Sequence, residues 1–144
     1  MFQVSPEFCT TTRVIYADTD KMGIVYHAKY LEYFEIGRNE MLREIGFTYK
    51  FLEEKDIYLP LIEAHLKYHY PARYDDLLTI KTVLKREKNK FLRVYIDCCI
   101  FQENRLITSG STVHVMSNSS GKPVKAAKEI QVPLFERVFS FNNA

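Results

Sequence analysis

The chain has 144 residues, close to the size of one domain, with 47% apolar and 26% charged side chains. That composition supports a packed core, and a domain this small often gains by oligomerising. A formal net charge of +2 is too small to mark a nucleic-acid partner, so any electrostatic argument has to be local.

Met1 to Thr12 has neither a basic start nor a long apolar run, so no signal peptide is expected. No stretch approaches the roughly 18–20 apolar residues of a membrane span, which argues against membrane insertion. Cys9, Cys98 and Cys99 do not suggest a disulfide framework; the pattern suits a reducing compartment and a cytoplasmic protein. No repeat, low-complexity tract or linker divides the chain, which reads as a single domain over residues 1–144.

Phe8 to Tyr16 favours β structure through Thr10, Thr11, Thr12, Val14 and Ile15. A polar loop, Ala17 to Met22, follows and closes at Gly23. From His27 to Ile45 the period becomes helical: Tyr30, Phe34, Gly37, Met41 and Ile45 recur at three- and four-residue spacing. Leu31 and Leu42 flank that stripe, and Tyr33 and Ile36 widen it, so the helix is expected to be buried. Gly46 is a natural stop, and a shorter helix is predicted over Thr48 to Lys55 with Thr48 as its cap.

After Asp56 the signal is β. Leu59 to Tyr70 is rich in apolar and aromatic residues and ends at Pro71. Leu78, Ile80, Thr82 and Leu84 alternate along the next strand, and Leu92, Val94, Ile96, Cys98 and Ile100 along the one after. The second strand's other face carries Phe91, Tyr95, Cys99 and Phe101, a hint that both faces are partly buried and that one meets another subunit. Gln102 to Arg105 reads as a hairpin turn, Leu106 to Met116 as the last long strand, Ser117 to Pro123 as a turn, and Pro133 to Val138 as a short helix. One long buried helix followed by four or five mostly antiparallel strands predicts an α+β domain, a curved antiparallel sheet wrapped around a central helix.

Asp18-Thr19-Asp20-Lys21-Met22-Gly23-Ile24-Val25-Tyr26-His27 is the segment that carries chemistry. It sets carboxylates just before a buried helix, whose start presents unpaired N–H groups and the positive end of the dipole. Such a start can hold a developing oxyanion, and a carboxylate beside it can act as base or nucleophile. The plainer alternative is that these aspartates only shape turns and caps. A calcium loop fails on spacing, because Met22 and Lys29 fall where ligands are required.

From Arg13 through Asp18-Thr19-Asp20, Gly23-Ile24-Val25-Tyr26-His27 and Tyr30 to Tyr33-Phe34-Glu35 and Arg38, the chain resembles the 4-hydroxybenzoyl-CoA thioesterases and the related YbgC-type acyl-CoA thioesterases. A second block, Tyr68-His69-Tyr70-Pro71-Ala72-Arg73-Tyr74-Asp75-Asp76-Leu77-Leu78, is similar to the same family. The resemblance implies the hotdog fold and hydrolysis of an acyl-CoA to free acid and CoA, with no metal or redox cofactor. It makes Asp20 the catalytic carboxylate, as nucleophile or general base, and the backbone N–H near His27 the group that polarises the thioester carbonyl. The Tyr26-His27 pair leans towards the YbgC branch, with His27 either positioning substrate or water or capping the helix. Asp18 either orients the loop or forms a turn, and Tyr26 either lines the acyl pocket or packs. The active unit implied is a dimer or a homotetramer, because sites in the family form between subunits.

Lys81, Lys85, Arg86, Lys88, Lys90 and Arg93 stand against Glu87 alone in residues 81–93. Arg86, Lys88 and Lys90 are candidates for the CoA phosphates, in the region where family members bind the nucleotide; a solvated charged turn is the competing reading. Glu35 and Arg38 are spaced for an ion pair, and Asp75 and Asp76 read as turn residues. His65 and His69, four apart on a strand, are separated by about 13 Å, too far for one metal. His114 reads as a satisfied sheet histidine, and nothing marks Cys98 or Cys99 as an activated thiolate. Rival functions are a carrier-protein thioesterase or hotdog dehydratase, and a non-catalytic acyl-CoA-binding module.

Overall fold

The apolar stripe after His27 folds as α1, Lys29–Glu44, in a computed structural model that describes residues 1–124 together with Pro133 and Glu136. Tyr30, Tyr33, Phe34, Gly37, Met41 and Leu42 form its buried side, so the period identified the inward face correctly. At Gly37 the helix packs close against the sheet. A Cβ there would lie 2.6 Å from Ile80 Cγ2 and 2.7 Å from Thr82 Oγ1. Gly46 ends the segment at φ +85°, a left-handed conformation that suits glycine. Helix α2, Tyr49–Glu54, follows, and the Thr48 hydroxyl accepts from the Phe51 N–H at 3.2 Å, the expected cap.

The strands are β1 (Phe2–Val4), β2 (Phe8–Arg13), β3 (Leu61–Tyr68), β4 (Leu77–Glu87), β5 (Arg93–Gln102) and β6 (Arg105–Val115). They form one antiparallel sheet in the order β1-β4-β5-β6-β3, with β2 also pairing with β4. Leu78, Ile80, Thr82 and Leu84 of β4 and Val94, Ile96, Cys98 and Ile100 of β5 are buried beneath the helix, as the alternation required. The observed class is therefore α+β. Strand β1 was not anticipated: three residues are too few to show a period.

Half-burial of the outward face of β5 arises partly within the chain. Phe2 of β1 meets the Tyr95 ring edge-on at 5.0 Å, and the Lys81 ammonium sits 4.8 Å above the Phe101 ring. Strand β3 is shorter than the predicted Leu59 to Tyr70 and lies at the sheet edge, with every residue but Leu66 exposed. The remaining differences are small. Tyr16–Asp18 is a single 3-10 turn rather than the end of a strand, whereas the β5–β6 hairpin turns at Glu103 and Asn104 between paired Gln102 and Arg105, as expected. The short helix expected over Pro133 to Val138 lies outside the described residues except for Pro133 and Glu136, which are helical.

Candidate active site

Pairing register decides which segments share an end of the sheet. Thr10, Ile80, Ile100, Thr108 and Tyr68 fall in one row across β2, β4, β5, β6 and β3. Beyond that row the chain leaves β3 at Tyr68 and runs through Pro71 towards β4. Here it meets the loop before α1. Val25 N–H donates to Ala72 O at 2.8 Å, and Ile24 bridges to Arg73.

The loop is a small closed ring. Tyr26 N–H donates to the Asp18 carbonyl at 2.8 Å, Asp20 N–H to the Ile24 carbonyl at 2.9 Å, and Gly23 N–H to the Asp20 carbonyl at 3.0 Å. Gly23 makes the reversal at φ +78°. At the tip, the Asp20 carboxylate accepts the Met22 N–H through Oδ1 at 2.8 Å. An Asx turn is thus present, but it occupies one oxygen and leaves Oδ2 available. Asp20 is only half-buried and lines a cavity of about 340 Å³ with Ile24, Val25, His27, Tyr30 and the 68–71 segment. Apolar and aromatic walls beside one carboxylate are what a site for an acyl group needs.

Helix α1 opens beside this cavity. Its N-cap residue, Ala28, offers no side-chain cap, and Lys29 N–H turns back to the Tyr26 carbonyl at 2.8 Å. Among the described residues, the N–H groups of His27 and Ala28 have no acceptor. Donors left open at the positive end of a helix can meet a developing oxyanion. The His27 ring packs against the Tyr26 ring at 4.3 Å and makes no capping bond, so the helix-cap role considered for it is not what it does. Its backbone carbonyl is held by the Tyr68 hydroxyl at 3.0 Å.

Comparison with known proteins is consistent with this geometry. Residues 14–134 match the model of the thioesterase-like superfamily. The chain belongs to that family. YbgC acyl-CoA thioesterase of Haemophilus influenzae is 35% identical over 131 residues, which cover 86% of this chain and 91% of the relative. Escherichia coli YbgC acyl-CoA thioester hydrolase is 34% identical over 103 residues, covering 72% and 76%. The crystal structure of a DHNA-CoA thioesterase from Staphylococcus aureus superposes with a TM-score of 0.84 at 28% identity, over 95% of this chain and 93% of that one. The α+β sheet-and-helix arrangement is the hotdog fold, and the protein is a YbgC-type thioester hydrolase.

The other candidates of this thioesterase fall in different places. Tyr26 is exposed at the rim, against His27, and the cavity wall is Tyr30 instead. Burial of Tyr30 raises its phenol pKa, and its oxygen accepts the Ala72 N–H at 3.2 Å. The basic hairpin lies at the opposite end of β4. Seven residues of strand separate Ile80 from Glu87, which is about 23 Å. Arg86 points inward, is 8% exposed, bonds Gln3 and covers the Phe91 ring at 4.8 Å. Lys90 pairs with Glu87 at 2.9 Å, while Lys88 is fully on the surface. Within one chain, none of these cations neighbours Asp20.

Arg38 does not pair with Glu35; its Nε donates to the Tyr49 hydroxyl and its guanidinium lies over that ring. It lines a larger cavity, about 820 Å³, at the far end of α1 beside α2. Asp76 holds Arg73 N–H at 2.8 Å and Gln102 at 3.2 Å, a turn role as expected. Tyr33, Tyr68 and His69 stood in the helical stripe or the family blocks without a role at the site. His69 lines the Asp20 cavity, with Nε2 2.8 Å from the Ser109 hydroxyl. Only the fold brings it there, since it lies about fifty positions from Asp20.

Proposed function

We propose that the protein hydrolyses acyl-CoA thioesters to the free acid and CoA in the cytoplasm, with Asp20 as nucleophile or general base. The observation that carries this is one half-free carboxylate in a partly apolar cavity beside the uncapped start of α1. A thioester carbonyl set against the His27 and Ala28 N–H groups becomes more electrophilic. Negative charge builds on its oxygen while Asp20 either attacks the carbon or takes a proton from attacking water. The C–S bond then breaks and CoA leaves as thiolate. After direct attack, water cleaves the acyl anhydride on Asp20, releasing the acid, restoring the carboxylate and supplying the proton; after general-base attack, the proton held by Asp20 passes to the thiolate. His27 and Tyr30 position the acyl group or the water. Both YbgC relatives carry names that describe this reaction.

A second copy completes the unit in this reading. Strand β3 leaves one edge without a strand among the described residues and exposes Leu61, Ile62 and Tyr68. An open edge this long invites pairing with another strand. Antiparallel pairing of β3 with its copy places the other subunit beside the Tyr68 end, next to Asp20. Contact between CoA phosphates and Lys88 or Lys90 likewise requires the hairpin of another subunit. A dimer, or a tetramer built from dimers, meets both needs.

Thiol release from short, long and aromatic acyl-CoAs tests the proposal, with Asp20→Asn as control. Turnover is expected on part of the panel and should fall by about 10²–10⁴ in the variant. Undiminished turnover in folded Asp20→Asn protein removes Asp20 from the reaction. No turnover of any CoA ester moves the substrate to carrier-protein thioesters. Single turnover in ¹⁸O-water tests the anhydride route: label in the Asp20 carboxylate requires it, because general-base attack puts all the label in the released acid.

A further inference from the structure

Asp20 needs more than its own turn to act, because its carboxylate and the open N–H groups of His27 and Ala28 stand at different ends of the loop before α1. Reacting groups displaced by about 1 Å lose much of their rate. The loop ring described above closes at Asp18, whose carbonyl holds Tyr26 N–H at 2.8 Å. The Asp18 side chain does not face solvent; the residue is 9% exposed, and its carboxylate turns inward. Oδ2 accepts the Tyr33 hydroxyl at 2.8 Å and the Ile15 N–H at 3.3 Å, and Lys29 Nζ lies 3.9 Å from Oδ1. Tyr33 is 3% exposed, sits one helical turn into α1 and meets the Tyr30 ring edge-on at 5.8 Å. Burial, followed by the bond to Asp18, raises the Tyr33 phenol well above its ordinary value, so it stays a donor across the working pH range.

From this arrangement we infer that Tyr33 and Asp18 form a clamp that fixes the Asp20 loop against the start of α1, making Tyr33 a positioning residue for the hydrolysis. The clamp rests on the Asp20 reading above. It spans the two halves of the site: Asp18 is two residues from the Asp20 carboxylate, and Tyr33 belongs to the helix that His27 and Ala28 lead into. Neither touches the substrate, so their effect falls on the rate of the bound complex rather than on binding. An aspartate that only formed a turn would need no buried phenol. A tyrosine that only filled the core would not need its hydroxyl.

The experiment measures kcat, KM and melting temperature for Tyr33→Phe, Asp18→Ala, Asp18→Asn and the Tyr33→Phe/Asp18→Ala double variant, beside Asp20→Asn. Tyr33→Phe removes one oxygen and keeps the ring, so the protein remains folded. Its kcat is expected to drop about tenfold or more while KM moves less than about twofold, the pattern of a lost transition-state interaction. Asp18→Asn keeps an acceptor oxygen and should retain more kcat than Asp18→Ala. The double variant should be no slower than Asp18→Ala alone, because both changes open the same clamp. An inactive Asp20→Asn with a Tyr33→Phe kcat within twofold of wild type overturns the clamp and leaves Asp20 in place. A kcat loss matched by a rise in KM and a fall in melting temperature, or additive losses in the double variant, also overturns it. Full activity in Asp20→Asn instead refutes the Asp20 reading itself, and the clamp with it.

Discussion

Acidification from pH 7.5 to 5.0 should weaken the fold through His114. This side chain is 1% exposed in β6, with Nδ1 3.0 Å from the Leu59 carbonyl and Nε2 3.0 Å from the Thr112 hydroxyl. A carbonyl only accepts, so Nδ1 carries the proton and Nε2 accepts from Thr112; the ring is neutral and satisfied. Burial pushes its pKa down from 6.5 to about 4. Between those values the unfolded chain binds a proton that the folded chain refuses, so stability falls as pH drops. The slope is about 1.4 kcal/mol per pH unit per proton. Integrated to pH 5.0, the loss is about 2 kcal/mol, and nearly none of it occurs above pH 7. Urea midpoints at both pH values and one protein concentration measure it, for wild type and His114→Gln. The other three histidines lie outside the core and cancel in the difference. Equal acid sensitivity in the two proteins would show that the buried ring is not the source.

Gly37→Ala sets helix propensity against packing. Alanine in a helix gains about 1 kcal/mol over glycine, but the Cβ would meet Ile80 at 2.6 Å, and overpacking costs about 1–3 kcal/mol. A lower melting temperature is expected; a higher one would refute so close a crossing. Cys9 is exposed and should react with a thiol reagent at once, whereas Cys98, whose thiol burial pushes up to about 12, should react only on unfolding. Rapid labelling of Cys98 in native protein would contradict its place beneath α1. Paired Leu61→Lys and Ile62→Lys changes at the β3 edge should shift the protein towards monomer in light scattering and reduce thiol release. A fully active monomer would remove the second copy from the site.

Much of the frame was legible because its signals are local. The three-and-four spacing from Tyr30 to Ile45 marked the inward side of α1, and alternation in β4 and β5 marked the faces beneath it. The Thr48 cap was readable from residue type alone. The same local view overextended β3, since Leu59, His69 and Tyr70 continue its apolar and aromatic run without knowledge of where the neighbouring strand ends. It also paired Glu35 with Arg38, because spacing along one helix says nothing of Tyr49 on the next.

By itself the sequence determined the α+β class, the long buried helix and a carboxylate loop at its start, because each is written in neighbouring residues. Tertiary structure alone decided that the 68–71 segment walls the Asp20 cavity, that β3 lies at an open edge, and that the basic hairpin stands about 23 Å from the site's row. It also brought Asp18 to Tyr33. These are relations between segments distant in the chain. Periodicity reports which way a side chain points relative to its own backbone, and only the packing of one element on another determines what it meets.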